Sequence, residues 1–237
     1  MNDKNTIALT GDIFKAFFRA VSLVSSYCRL HIENGRLYVR TVDTANAMLI
    51  DISADTGNTG NAGVVLGLNA SYIVHYVSKF IQDTDLVTVS WKVEENDKYR
   101  VLIEAGTCII DILSEDTGCI RKDATPPTVT YRASFTTRLQ QLNDFTGISE
   151  KCRILVKDNT ARLITWFGDN NRIESVIGPA TGEASTLYST DCLKSIAKAF
   201  PEQNATIELS TDSVMKATLH TGQIDVMWML APRIEAD

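Results

Sequence analysis

The chain has 237 residues, 44% of them hydrophobic and 22% charged, which is an ordinary composition for a globular protein. With 29 acidic and 23 basic side chains its net charge is −6, so a basic surface spread over the whole molecule is excluded. No apolar run approaches the about 18 residues of a membrane-spanning helix, and the polar N-terminus predicts no secretory signal. We therefore expect a soluble cytoplasmic protein of one large domain or two of about 115 residues.

The first predicted helix lies within residues 9–26. Its apolar side chains recur at helical spacing, while Lys15 and Arg19 fall on the opposite face. The segment CRLHIENGRL (28–37) follows, with an Asn-Gly turn typical of a β-hairpin. A closely similar segment, CRILVKDNTARL, occupies residues 152–163.

The similarity extends outward from these two segments. Residues 68–90 align without a gap on residues 188–210, and each stretch predicts a helix. His75 and Lys79 lie on the outer face of one helix, and Lys194 and Lys198 on that of the other. Residues 134–149 predict the remaining helix of the second copy, with Arg138 and Gln141 away from its apolar side. The chain is therefore an internal duplication.

Each half ends in short, apolar strands, and the Pro126-Pro127 pair between them predicts an exposed connector. We expect an α+β fold of two similar domains, residues 1–115 and 134–237, joined by residues 116–133. Each domain has antiparallel sheets with two helices on one face. If all four helices share a surface, their basic residues form a basic face on an acidic body, although any single helix of a soluble protein exposes Lys and Arg to water.

The five cysteines, at positions 28, 108, 119, 152 and 192, are odd in number and have no C-x-x-C spacing. They are interpreted as reduced thiols. The three histidines are far apart and lack metal-ligand spacing. The Gly- and Asn-rich segment at 53–65 indicates a loop, but it lacks the Gly-Lys-Ser/Thr ending of a phosphate-binding loop. Together with the absence of nucleophile motifs, this argues against an enzyme.

Four segments carry a resemblance to a known family: VRTVDTANAMLIDI (39–52), IRKDATPP (120–127), SIAKAFPE (195–202) and LAPRIE (230–235). In this order they resemble DNA sliding clamps of the proliferating-cell-nuclear-antigen (PCNA) type, most closely the archaeal members. The resemblance implies a homotrimeric ring that encircles double-stranded DNA, tethers DNA polymerase and other replication and repair enzymes, is opened by a clamp loader, and needs no metal or cofactor. It also implies a location at the nucleoid of an archaeon.

The resemblance implies three sets of site residues. The DNA-binding set lines the inner helices: Lys15, Arg19, His75, Lys79, Arg138, Gln141, Lys194 and Lys198. The subunit interface pairs strand 108–115 with strand 171–178 of the next copy, through Cys108, Ile110, Ile112, Arg172, Glu174 and Val176. The partner-peptide pocket is formed by Val42, Ala47, Leu49, Ala124, Pro126, Met229, Ala231, Pro232 and Ile234.

Alternatives remain for each set. Strands 108–115 and 171–178 could be interior strands, and core packing is an alternative role for Val42 and Leu49. The chain could also be one subunit of a heterotrimer or of a checkpoint-type clamp.

Overall fold

A computed structural model describes residues 5–56, 63–94, 98–145, 147–167 and 171–234. Residues 57–62 of the predicted Gly- and Asn-rich loop lie outside these ranges, as does Glu235 of the LAPRIE segment. The chain divides into two compact units. The first unit contains Met1–Thr41, Ile50–Ala124 and Gly222–Asp225, and the second contains Val42–Leu49, Thr125–Thr221 and Val226–Asp237.

Eight strands and two helical segments make up the first half of the chain. In chain order they are β1 (Thr6–Thr10), α1 (Gly11–Ser22), β2 (Tyr27–Glu33), β3 (Arg36–Val42), β4 (Met48–Asp55), β5 (Val64–Asn69), the segment that begins with α2 (Ala70–Tyr72), β6 (Leu86–Val93), β7 (Tyr99–Ala105) and β8 (Cys108–Leu113). The sheet orders are β1-β6-β7-β8 and β4-β3-β2-β5.

The second half of the chain repeats this order of elements. It contains β9 (Ala133–Arg138), a 3₁₀ helix (Leu139–Asn143), β10 (Lys151–Lys157), β11 (Thr160–Phe167), β12 (Asn171–Gly182), β13 (Ala184–Ser189), α3 (Thr190–Ala199), β14 (Asn204–Leu209), β15 (Met215–Thr221) and β16 (Ile224–Leu230). Its strand order is β13-β10-β11-β12-β9-β14-β15-β16. Strands β9–β16 correspond in chain order to β1–β8. The runs β9-β14-β15-β16 and β12-β11-β10-β13 therefore repeat the two sheets of the first half, and the predicted duplication and α+β class are confirmed.

The two hairpin turns that revealed the duplication have the same backbone geometry. Asn34 and Gly35 have φ angles of 52° and 75°, and Asp158 and Asn159 have φ angles of 52° and 57°. Two successive positive φ angles match the right-handed twist of paired strands, and Asn, Asp and Gly tolerate them best. The predicted hairpins β2–β3 and β10–β11 are both antiparallel.

Two of the four predicted helices, α1 and α3, are regular, and the other two differ from the prediction. After Tyr72 the chain continues as a π-helical turn (Ile73–Val77) and a 3₁₀ turn (Ser78–Phe80). The wider turn accommodates Ser78, whose hydroxyl donates to the Ile73 carbonyl at 3.2 Å. The segment is helical, as expected, but its outer face does not follow α-helical spacing.

The prediction of a helix over 134–149 is wrong. Residues through Arg138 form strand β9, with alternate residues buried, and only five residues then turn as a 3₁₀ helix. The amides of Leu139 and Gln140 donate to the carbonyls of Gln203 and Pro201, at 2.9 and 3.1 Å, rather than starting an α-helix. The Leu139–Leu142–Phe145 spacing of three fits a 3₁₀ turn better than an α-helix.

Each unit has its own core of alternating strand residues and one helix face. Cys28 of β2 and Cys152 of β10 occupy equivalent buried places. Burial raises the pKa of both thiols to about 12, because a thiolate would be poorly solvated there. The five cysteines are free thiols, as predicted. No helix in the described part of the chain is long and apolar enough to cross a membrane.

Candidate nucleic-acid face, peptide site and subunit edges

Two regular helices carry basic pairs at matching places. Lys15 and Arg19 are one turn apart on α1, and Lys194 and Lys198 are one turn apart on α3. The apolar faces of both helices are buried, so these side chains point away from the core of their own unit. Within the described ranges, Arg19, Lys194 and Lys198 form no ion pair and keep their charge for an external anion.

Lys15 differs from the other three basic residues. Its ammonium group contacts the Asp83 carboxylate and donates to the Ile81 carbonyl at 3.2 Å. Asp83 is largely exposed, so this surface ion pair is weak and can be exchanged for a phosphate.

His75 and Lys79, the two candidates in segment 70–80, both make contacts within that segment. The Nδ1 atom of His75 lies 2.8 Å from the Ser71 carbonyl oxygen, and the Lys79 ammonium lies 5.7 Å from the centre of the Tyr76 ring. Tyr76 and Phe80 align with the buried residues Ile196 and Phe200 of the second half, but they are 58% and 63% exposed. The π-turn rotates them outward, and sequence periodicity contained no signal of this.

The remaining two candidates lie where the predicted helix is absent. Arg138 ends strand β9, and its guanidinium group is 3.6 Å from the Glu202 carboxylate. Gln141 is half-buried and accepts a 2.5 Å hydrogen bond from the Thr137 hydroxyl. Gln141 is therefore held within its own unit and is the least available residue of the set.

Among the peptide-pocket candidates, Ala47 and Ala231 are in direct contact, and Ala231 begins the C-terminal tail, residues 231–234. The amide of Ala231 donates to the Ala47 carbonyl at 2.8 Å, and the amide of Arg233 donates to the Leu187 carbonyl at the same distance. The loop 43–47 is shaped by Asp43, whose Oδ1 accepts from the amides of Ala47 and Met48 at 2.7 and 3.1 Å. These hydrogen bonds from a side chain to nearby backbone amides fix the loop locally.

Eight of the nine pocket candidates belong to the second unit, and Ala124 belongs to the first. Their exposure differs widely. Ile234 is 88% exposed, whereas Leu49 and Met229 are only 6% and 5% exposed and pack in the core. Val42, Ala47, Pro126, Ala231 and Pro232 are half-buried.

A pocket of about 320 Å³ flanks the tail. Arg153, Leu187, Asp212 and Arg233 line it with Pro232 and Ile234. Arg153, Leu187 and Asp212 come from separate strands or turns, and only the tertiary structure brings them beside the tail.

The two strands predicted to form the subunit interface have open edges in the described structure. Strand β8 is the last strand of β1-β6-β7-β8. In β12, Asn171–Pro179 pairs with β11, and only Ala180–Gly182 pairs with β9. The Ile177 carbonyl accepts from the Thr137 hydroxyl at 3.2 Å, whereas residues 171–176 have no strand paired on their other side in the described structure, as a pairing edge needs.

Apolar side chains surround these edges. Cys108, Ile110 and Ile112 are half-buried, while Ile109 and Leu113 on the opposite face of β8 are exposed; these two were missed by the sequence analysis. On β12, Val176 is 61% exposed. The charged candidates are already paired within the chain, because Glu174 contacts Arg162 at 3.1 Å and Arg172 at 3.7 Å.

No three His, Cys, Asp or Glu side chains in the described ranges are placed to hold a metal ion.

Two copies of one α+β unit, with basic pairs at equivalent helical positions and an open strand edge in each half, define the PCNA-like class of folds.

The chain belongs to the DNA polymerase sliding clamp family. It is 30% identical over 246 residues to the DNA polymerase sliding clamp of Methanocorpusculum labreanum, a match that covers 97% of this chain and 98% of the relative. The corresponding protein of Archaeoglobus fulgidus is 25% identical over 250 residues, with 98% and 99% coverage. The predicted resemblance to archaeal clamps is thus confirmed. No family model matches the sequence.

Solved structures agree on the fold. A. fulgidus PCNA bound to the C-terminal region of FEN-1 superposes with a TM-score of 0.86 at 23% identity, over 98% of this chain and all of that one. The PCNA2–PCNA3 complex of Sulfolobus tokodaii gives a TM-score of 0.78 at 14% identity, with 96% and 99% coverage.

Proposed function

We propose that three copies of this chain close into a ring around double-stranded DNA and tether DNA polymerase and other replication and repair enzymes to it. In this role the protein catalyses no reaction and needs no cofactor. It acts in the archaeal cytoplasm at the nucleoid. The observation that carries the proposal is the end-to-end similarity to DNA polymerase sliding clamps, 30% identity over 97% of the chain.

The basic residues suit a clamp that slides. Contacts with phosphates alone carry no sequence information, so they allow movement along the duplex. Arg19, Lys194 and Lys198 are the strongest candidates because they have long side chains without ion pairs in the described structure. Lys15, His75, Lys79 and Arg138 contribute after releasing their present contacts, and Gln141 contributes least.

The open edges suit head-to-tail closure. Pairing β8 of one copy with residues 171–178 of the next would satisfy the backbone groups of both strands and cover Ile109, Leu113 and Val176. In each protomer, residues 1–115 and 134–237 then act as two domains joined by the connector, residues 116–133. The S. tokodaii complex joins two different PCNA chains, so a heterotrimer is the second candidate assembly.

The C-terminal tail suits peptide capture. Partner enzymes would place apolar anchors against Pro232, Ile234 and the other pocket residues, and would pair their backbone with the tail. A. fulgidus PCNA has been seen with the C-terminal region of FEN-1, which makes that peptide the natural probe.

Two measurements test the proposal together. Light scattering on a sizing column should give three times the protomer mass of 26.2 kDa without DNA. Primer extension on circular DNA, with clamp loader and polymerase, should give longer products when this protein is present than when it is left out. A monomer at every concentration would disprove self-closure, and unchanged product lengths would disprove the tethering function.

A further inference from the structure

Each half of the chain has an arginine at the same place on its sheet. In the first unit, Arg29 on β2 lies opposite Gly67 on β5. In the second unit, Arg153 on β10 lies opposite Leu187 on β13. The two pairs are equivalent, because both arginines follow the cysteine of the repeated Cys-Arg segment and the strands pair in the same register.

In each half, the segment that follows the last strand is hydrogen-bonded to this place. The amide of Glu115, soon after β8, donates to the Gly67 carbonyl at 2.9 Å. The amide of Arg233, soon after β16, donates to the Leu187 carbonyl at 2.8 Å. The start of the connector in the first unit and the C-terminal tail in the second unit therefore dock on their own sheets in the same way.

The two halves differ in what covers the sheet beyond this hydrogen bond. In the first unit, a Cβ atom at position 67 would lie 3.0 Å from Cδ1 of Ile120, which is buried, so the connector returns to this glycine and covers it. In the second unit, Ile234 follows the hydrogen bond of the tail and is 88% exposed. The pocket beside the tail contains both Arg153 and Leu187, so it corresponds to the place that Ile120 covers in the first unit.

The charged groups of this pocket favour an acidic ligand. Arg153 and Arg233 contribute two guanidinium groups, and Asp212 contributes one carboxylate. Within the described ranges Arg153 forms no ion pair. Its Nη1 atom donates to the Ser185 hydroxyl at 3.1 Å, which leaves most of its N–H donors unused. The Trp166 ring, whose centre is 5.7 Å from the guanidinium carbon, limits where the group can move.

Arg233 is less available than Arg153. Its guanidinium group donates to the Glu150 carbonyl at 3.1 Å and lies 3.3 Å from the Glu150 carboxylate. Arg153 is therefore the residue of the pocket that best suits a carboxylate, because the planar guanidinium fork matches the two oxygens of that group.

The first unit shows how a chain segment carries a carboxylate over such a sheet. Three residues after Ile120, the connector places Oδ2 of Asp123 2.8 Å from Nε2 of His31. His31 is two residues after Arg29 and on the same face of β2, since the buried residues of this strand alternate with them. A peptide that crosses the equivalent face of the second unit would bring an acidic side chain to Arg153 in the same manner.

We propose that the pocket beside the tail is a subsite for an Asp or Glu side chain of the partner peptide, and that this carboxylate pairs with Arg153. The inference rests on the proposed function. It adds a charge requirement to the apolar anchors that Pro232 and Ile234 are expected to contact. Partner peptides with an acidic residue at the matching position then bind more tightly than peptides with the same apolar residues and a neutral side chain there.

The test compares fluorescent peptides that differ by one charge. The parent peptide is the C-terminal region of A. fulgidus FEN-1, and each of its polar positions is replaced in turn by Asp and by Asn. We expect one position at which the Asp peptide binds the wild-type chain about two- to fivefold more tightly than the Asn peptide, the range of a partly exposed ion pair. In Arg153→Gln the two peptides should bind equally. The ratio cancels any general weakening that comes from lost contacts with Trp166 or Ser185.

A charge reversal and a matched control complete the experiment. Arg153→Glu should reverse the preference, so that Lys at the same peptide position binds more tightly than Asn. Lys157→Gln removes a positive charge four residues farther along β10 and should keep the wild-type ratio.

Each failure has its own signature. The absence of any Asp preference in the wild type, or the same preference in Arg153→Gln, would overturn the subsite while peptide binding itself stands. If the parent peptide does not bind the wild-type chain, the proposed capture of partner peptides is wrong, and the subsite is overturned with it.

Discussion

The amide of Ala231 donates a 2.8 Å hydrogen bond to the carbonyl oxygen of Ala47. It joins the first residue of the C-terminal tail to a loop 184 positions earlier in the chain. A second hydrogen bond, from the amide of Arg233 to the Leu187 carbonyl, fixes the tail two residues farther on. Pro232 lies between these two hydrogen bonds and Ile234 just after them, so both stand on a backbone that is already ordered. The entropy cost of binding a partner peptide then comes mainly from ordering the peptide.

The double variant Pro232→Ala/Ile234→Ala should bind the FEN-1 peptide at least about tenfold more weakly, because apolar anchors carry most of the energy of such interfaces. Ile234 is 88% exposed, so its truncation should leave the fold and the trimer intact. Fluorescence anisotropy gives the affinity and light scattering the mass. Val93→Ala, which truncates another exposed apolar side chain, is the control. Wild-type affinity in the double variant would mean that the pocket lies elsewhere.

Lys198→Glu should weaken retention of the loaded ring on nicked circular DNA at about 150 mM salt, where charges more than about 8 Å apart are largely screened. The substitution breaks no ion pair in the described structure, so thermal stability should not change. The dependence of retention on salt should also become less steep, because fewer counterions are released. Lys157→Glu makes the same charge change at the exposed end of β10 and should be neutral. If both variants behave alike, α3 does not face DNA.

Val176→Glu should convert the trimer to a monomer of 26.2 kDa. The side chain is 61% exposed in the isolated chain, so folding should tolerate the carboxylate, with a change below about 0.5 kcal/mol in the free energy of unfolding. In a closed ring the same carboxylate would be buried between two strands. Light scattering and urea denaturation measure the two effects. A stable trimer would remove β12 from the interface.

The buried thiols predict a loss of stability in alkaline solution. Burial raises the pKa of Cys28 and of Cys152 from a usual 9.0 to about 12. The folded state therefore keeps both protons where the unfolded state releases them. The contribution of the two protonated thiols to the free energy of unfolding is complete below pH 9, and it is lost progressively as the pH rises toward 12.

Urea denaturation at pH 8 and pH 10 should show a decrease of about 1 kcal/mol per buried thiol. Cys152→Ala should show a smaller decrease between the two pH values than the wild type, whatever its absolute stability. A thiol reagent at pH 8 should modify the exposed Cys119 first and leave Cys28 and Cys152 unmodified until the chain unfolds. Equal pH dependence in wild type and variant would show that the thiols do not titrate differently on unfolding.

Local sequence determined much of this fold. The Asn34-Gly35 and Asp158-Asn159 pairs specify their turns because few residues tolerate two positive φ angles. Helices α1 and α3 have apolar residues at a spacing that only a helix can bury on one side. The internal duplication was predictable from these local patterns, because the same turns and helices recur in the same order in both halves of the chain.

Other features depended on contacts that are distant in the sequence. Residues 134–138 form a strand because β14 and β12 supply partners for its backbone, and Leu139 begins a 3₁₀ turn because Gln203 accepts its amide hydrogen. The outward rotation of Tyr76 and Phe80, the pairing of Glu174 within its own chain and the contact of His31 with Asp123 were likewise decided by the tertiary structure. Side-chain periodicity records which face of an element is apolar. It contains no information about which distant backbone groups complete the hydrogen bonds of that element, or which distant charge lies beside a histidine.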